Sequence, residues 1–352
     1  MSPQVALANE VFRFYVSLVV GFLVVAGAVL AVLRWSVGQS VQHAWQSYRG
    51  WLIMVPVVLV SLFLGRVVVI VFFTLVALVG FTEYARATGL YRDWGMTGMV
   101  YLGTTAVGIL ALVPDPTTGL PGWYGLFMAL PVWVIALLLL LPIVRNRVQG
   151  QLQALALAIV GFIYFGWMFG HLTFLANARY AYSYLLYVLF AVEINDVAAY
   201  TCGKLFGRHP FRSHISPNKT WEGALGAVGL SLLVPWVLHF TFPHFQARDC
   251  VLVGVIVGIG GQVGDLAISV IKRDVGIRIG NSKALLASPR RPPPPPPPVP
   301  PHPGRGRGTR RAAPASAACS PAARGGTRAG QAPRCSSWVQ SAFCSSAGFF
   351  RG

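Results

Sequence analysis

The chain of 352 residues is 55% hydrophobic and only 11% charged, with a mean hydropathy of +0.61. Soluble domains carry about 25% charged residues, so the composition excludes a soluble globular protein and points to an integral membrane protein. The net charge of +18 does not make it a nucleic-acid binder: all ten acids lie at or before Asp274, where sixteen Lys and Arg leave a net of +6, and the other +12 belongs to residues 275–352.

Taken in chain order, apolar runs between polar punctuation predict an all-α, polytopic membrane protein with about nine transmembrane helices, at ~20 residues per crossing. The spans fall near 15–33, 51–64, 67–81, 96–113, 123–144, 152–170, 184–200, 224–242 and 251–271. The first run is too long, and lacks the basic front end, for a cleavable signal peptide. The second and third are short and divided only by Gly65-Arg66; one broken helix there would leave eight spans and reverse the orientation upstream.

Alternate loops carry Arg34 and Arg49, Arg86 and Arg92, Arg145 and Arg147, the group Lys204, Arg208, Arg212 and Lys219, and finally Lys272 and Arg273. The intervening loops carry Arg66, none, Arg179 and Arg248. The positive-inside rule places the rich set in the cytoplasm and the N-terminus outside. The expected location is the cell's inner membrane, with Trp51, Trp123 and Tyr184 as interfacial anchors. The five cysteines lack CxxC spacing and make no metal signature.

After Arg278 the character changes. Residues 292–298 are an unbroken proline run, followed by Arg, Gly, Ala, Pro and Ser without an acid. Such a segment cannot assemble a packed core. It reads as a disordered tail or as GC-rich coding sequence translated out of frame, and the residue alphabet favours the second. Three parts result: 1–50, a first span and cytoplasmic loop; 51–278, the membrane domain; and 279–352, the Pro/Arg/Ala/Gly-rich tail.

Four polar clusters crowd the last third of the membrane domain. "EINDVAAY" (193–200) puts Glu193, Asp196 and Tyr200 on one stripe beside Asn195. "GKLFGRHPF" (203–211) is a basic, Gly-punctuated loop that an ordinary cytoplasmic loop would match. "SPNKTWEG" (216–223) offers hydroxyl, amide and ammonium donors before a helix, where phosphate oxygens are well received. Thr220 equally suits a helix cap, with Glu222 in the first turn. "GDLAISVIKRD" (264–274) sets Asp265, Ser269 and Lys272 at i, i+4 and i+7, with Arg273 alongside. A carboxylate within a span costs at least ~2.5 kcal/mol unless it meets a cation, a partner or water. Asp265 and Lys272 stand two turns apart, too far for a bare salt bridge. A divalent cation near Asp265, with Ser269 assisting and Lys272 and Arg273 receiving anionic groups, accounts for all four.

These stretches resemble the phosphatidate cytidylyltransferase (CDP-diacylglycerol synthase) family. Its signature begins S-x-x-K-R, matched by Ser269, Lys272 and Arg273, and the preceding GD is Gly264-Asp265. "SPNKTWEG" and "NDVAAYTCGKLFGR" arrive before it in order, and the likeness covers about residues 50–278. It implies a membrane enzyme that joins CTP to phosphatidate, giving CDP-diacylglycerol and pyrophosphate with Mg2+. It implies catalytic roles for Asp265, Ser269, Lys272 and Arg273, with Asp265 also a metal ligand. Ser216, Lys219, Thr220, Asn195 and Asp196 become substrate-binding. A phosphate monoester is already anionic near pH 7, so the work is joining two polyanions and stabilising the leaving pyrophosphate.

After Lys-Arg the family continues with K-D, then P-G-H-G-G and L-D-R-x-D. Here the K-D position reads Arg278-Ile279, and 275–352 holds no aspartate. A second metal-ligating carboxylate is therefore missing, which implies a weakened or inactive enzyme. Two competing functions are a transporter with an intramembrane acidic ion site and a CTP-dependent lipid kinase. The oligomeric state is open, a homodimer included.

Overall fold

The computed structural model describes residues 1–37, 42–212 and 215–274. These form eleven α-helices: α1 (Pro3–Ala8), α2 (Glu10–Val37), α3 (Gln42–Leu64), α4 (Arg66–Thr88), α5 (Trp94–Leu112), α6 (Tyr124–Val144), α7 (Gln151–Gly161), α8 (Phe169–Leu175), α9 (Ala181–Phe206), α10 (Trp221–Val237) and α11 (Ala247–Asp274). A π-helical segment, Phe162–Met168, joins α7 to α8 into one 25-residue apolar helix. The tail 279–352 and the Arg278-Ile279 position lie outside the described residues.

Each expected span falls on a helix, but the count of nine needs adjusting. Among the described residues seven helices are long and apolar enough to cross a membrane, by length and composition. The apolar parts of α3 (Tyr48–Leu64) and of α10 (Trp221–Val237) are shorter. Seventeen residues rise only about 25 Å, short of the ~30 Å hydrocarbon core. The division between the second and third runs stands: Gly65 breaks the chain at φ 114°, a conformation that suits glycine alone.

The outer surface explains the composition. Leu102, Val132, Ile143, Leu225 and Ile256 are exposed along their helices, and with all backbone bonds closed inside helices such a surface suits lipid. Inside, two apolar clusters hold the bundle. The larger gathers Tyr15, Leu62, Ile70, Phe73, Phe127, Leu185 and Phe242. The smaller gathers Phe81, Leu90, Met96, Val100, Leu138 and Phe162.

One end of the bundle is pinned by polar contacts. Arg66 donates to Asn177 Oδ1 and to the carbonyls of Ala111 (2.8 Å) and Leu112 (3.0 Å). Tyr182 donates to the Ser2 carbonyl, and the Tyr184 hydroxyl meets His244 Nε2 at 2.7 Å. The N-terminus, the α3–α4 break, the α5 and α8 ends and the α10–α11 connection therefore share that end, as an alternating topology requires. The polar clusters lie toward the other end, beyond the middle of α9 and α11.

There α9, α10 and α11 pack side by side. A Cβ on Gly223 would sit 2.6 Å from the Ala199 carbonyl oxygen and 3.1 Å from Gly203 Cα, so small residues let α10 press on α9. Between those helices the sequence reading expected only loop. The structure instead folds a short antiparallel hairpin, β1 (Pro210–Arg212) with β2 (Ser216–Thr220), pairing Pro210 with Thr220 and Arg212 with Ser216.

Candidate active site

The hairpin delivers Lys219 to α11. Lys219 Nζ lies 2.8 Å from Asp265 Oδ2 and donates to Gln262 Oε1 at 3.2 Å. The Gln262 side-chain nitrogen then donates to Asn195 Oδ1 (3.4 Å), and Asn195 donates to the Val257 carbonyl (3.1 Å). One chain of polar groups thus ties β2, α11 and α9. Asn195 is wholly buried and Gln262 nearly so. The outer pair is more open: the Lys219 side chain is 19% exposed and that of Asp265 46%.

Close packing makes the chain. A Cβ on Gly261 would lie 2.0 Å from the Asn195 amide nitrogen, so only glycine there lets the amide reach α11. Two carboxylates attend the Lys219 ammonium: Asp265 pairs with it directly, and Asp196 is within electrostatic range of both Lys219 and Asp265, with Glu193 in range of Asp196 alone. The π-helical segment adds Tyr164, whose hydroxyl is 3.5 Å from the Gly264 carbonyl oxygen and within Coulombic range of Asp265. Such segments often occur at functional sites because they re-aim side chains.

Of the residues singled out in the sequence, Asp265, Lys219, Asp196 and Asn195 come together here. Ser269 is buried one turn beyond Asp265, and Ser216 is buried at the start of β2. Arg273 is exposed in the last turn of α11. Lys272 shares that turn, and its side chain lies outside the described residues. Thr220 caps α10, its Oγ1 accepting from Gly223 N at 3.2 Å, while Glu222 accepts from His209 Nδ1 at 2.6 Å. Beside the divalent cation expected near Asp265, the sequence reading had not foreseen a side-chain partner for this carboxylate; Lys219 is that partner.

Sequence reasoning missed Gln262 and Tyr164. Gln262 had a signal, being a lone amide in an apolar run three residues before Asp265 and so on its face. Tyr164 had none.

Among the described residues no three His, Cys, Asp or Glu are grouped to hold a metal alone. Mg2+ rarely uses an all-protein cage. It takes one or two carboxylates and completes its shell with water and substrate phosphates. Asp265 and Asp196, hard oxygen donors within Coulombic range of each other, fit that chemistry.

Membrane-length apolar helices around a partly open set of carboxylates, an ammonium and buried amides define a polytopic membrane protein with a polar site toward one end of the bundle. The chain belongs to the cytidylyltransferase family, whose model matches residues 45–281. It is similar to the phosphatidate cytidylyltransferase of Staphylococcus aureus (strain COL), at 29% identity over 218 residues, 61% of this chain and 79% of that protein. The phosphatidate cytidylyltransferase of Staphylococcus haemolyticus (strain JCSC1435) is 37% identical over 136 residues, 38% of this chain and 50% of that protein. No solved structure matches. These relatives make the chain a nucleotidyltransferase, and nothing in the comparisons favours a transporter or a lipid kinase.

Proposed function

We propose that this protein transfers CMP from CTP to phosphatidate, giving CDP-diacylglycerol and pyrophosphate. The carrying observation is the Lys219–Asp265 pair, tied to Gln262 and flanked by Asp196, where α11 meets the hairpin. A phosphatidate oxygen attacks the α-phosphorus of CTP, and the bond from that phosphorus to the bridging oxygen of the β-phosphate breaks, releasing pyrophosphate. The nucleophile is already ionised, so no side chain need remove its proton.

Lys219 is a donor to a triphosphate oxygen, oriented by Asp265 and Gln262. Arg273 and Lys272, about 10–12 Å further along α11, meet anionic groups at the mouth, with Ser269 between. Asn195 acts beneath the surface, fixing Gln262. Ser216 and Thr220 set the hairpin that carries Lys219. Asp265 and Asp196, together with the substrate phosphates, would hold Mg2+, which would supply neutralising charge for the triphosphate. The catalytic domain is the membrane portion ending near residue 278. Its site faces the cytoplasm of the cell's inner membrane, where CTP is present and the basic loops are expected.

The test is label transfer by the purified chain in detergent–phosphatidate micelles. Label from the α-phosphate of CTP should enter the lipid, whereas label from the γ-phosphate should leave as pyrophosphate. Transfer of γ-label to lipid would instead identify a kinase. A second chain carrying the family's acid-containing C-terminus after residue 278 separates a wrong reaction from a weakened site.

A further inference from the structure

A cavity lies outside the polar chain just described. It holds about 690 Å³ and is lined at the α4–α5 corner by Arg92, Asp93 and Trp94, from the α6–α7 connection by Arg145 and Arg147, and from the first turn of α7 by Gln153. Three guanidinium groups face one carboxylate, and that carboxylate is spoken for: Asp93 Oδ1 accepts from Arg145 (2.8 Å) and from the Gly95 and Met96 amides that open α5. The lining therefore keeps an excess of two positive charges, carried by Arg92 and Arg147.

The cavity's surroundings say where it sits. Val148 is 86% exposed and Leu152 81% exposed beside it, and Trp94 is also largely exposed. Apolar side chains and a tryptophan around arginines are the pattern of the headgroup level of a bilayer. Leu90 and Leu157 of the lining belong to the smaller apolar cluster, and Ile271 of α11 packs against that same cluster. The cavity and the α11 end thus flank one apolar wall at the same end of the bundle.

We propose that this cavity binds the phosphate-bearing headgroup of an anionic phospholipid, at a site separate from Lys219 and Asp265. Arg92 and Arg147 offer planar forks suited to two phosphate oxygens each. Asp93 holds Arg145 in place as a third donor. Gln153, also in the lining, serves glycerol hydroxyl or ester oxygens. The volume suits a headgroup with its upper glycerol, and the apolar rim receives the first carbons of the chains.

The experiment uses the full chain in nanodiscs of phosphatidylcholine doped with phosphatidylglycerol, with retained lipid counted by native mass spectrometry across a titration. Arg92→Gln and Arg147→Gln should each weaken phosphatidylglycerol retention about fivefold, and the double variant about thirtyfold; this is the fold-change equivalent of ~1 kcal/mol per basic residue. Asp265→Asn should retain phosphatidylglycerol as the unaltered chain does. Single variants keep the test decisive if the double variant fails to fold. Unchanged retention in the single variants would overturn the proposal, as would its loss in Asp265→Asn, which would put the lipid in the other site. A parallel arm adds inorganic phosphate to the unaltered chain: displacement of phosphatidylglycerol at equal concentration would show a free-anion site and overturn the lipid assignment.

Discussion

Gln262→Leu separates a positioning network from a bare ion pair. Leucine fills a similar volume but cannot accept from Lys219 or donate to Asn195, bonds of 3.2 and 3.4 Å. A hydrogen bond from a charged donor contributes ~1.5–3 kcal/mol. At 3.2 Å it is longer than the 2.7–2.9 Å typical of charge-assisted bonds, so the lower figure of about 1.5 kcal/mol applies. Asn195 Oδ1, wholly buried, loses this donor at a further ~1 kcal/mol, the low end of the penalty for an unsatisfied buried acceptor. The second cost falls on folding and the first on the site. Lys219 keeps Asp265 at 2.8 Å, so activity should drop rather than vanish. The expectation is a roughly tenfold fall in kcat/KM for CTP, the equivalent of about 1.4 kcal/mol. The assay is CDP-lipid formation from α-labelled CTP, in the chain carrying the family's C-terminus. A double-mutant cycle with Lys219→Met should return a coupling energy of at least ~1 kcal/mol. A Gln262→Leu enzyme within twofold of its parent, with no coupling to Lys219, would refute the reasoning.

Asp265→Asn and Lys219→Met remove the charges themselves and should each lower turnover by about 10²–10³, as loss of one preorganised electrostatic group does; activity within tenfold would exclude the roles given to them. Asp196→Asn should raise the Mg2+ concentration needed for half-maximal rate, and EDTA should abolish turnover in a way that added Mg2+ reverses. Gly261→Ala should cost about 1–3 kcal/mol of stability through overpacking, read as a lowered apparent Tm, because its Cβ meets the Asn195 amide at 2.0 Å. Gly260→Ala, whose Cβ meets nothing within 4 Å, is the control. Resequencing the gene around codons 278–290 should restore an acid-containing C-terminus, and an unbroken frame as given would end the out-of-frame reading.

The helices were legible because lipid imposes one rule on each of them separately. A run of apolar residues must be helical to close its own hydrogen bonds, so 96–113 and 123–144 could be read without their neighbours and appear as α5 and α6 within two residues. Gly65 could be read as a break for a similarly local reason. The hairpin could not. Its strand "SPNKT" has neither β-branched alternation nor an apolar face, and its pairing rests on the α9 and α10 ends that flank it.

The site shows the same boundary between local and tertiary information. Asp265 was conspicuous because a carboxylate in an apolar run demands a partner, and that demand is a property of α11 alone. Which partner answers it depends on how three helices cross, and the nearest basic residues along the chain, Lys272 and Arg273, are one to two turns too far out. Lys219, 46 positions upstream, reaches Asp265 because Gly223 lets α10 press on α9 and Gly261 lets Asn195 press on α11. The two polar stretches that seemed independent in sequence therefore meet as one ion pair, half-open on the Asp265 side. Removing Lys219 should accordingly raise the cost of Asp265 to the fold as well as disable the site, and a Lys219→Met, Asp265→Asn double variant should be more stable than Lys219→Met alone.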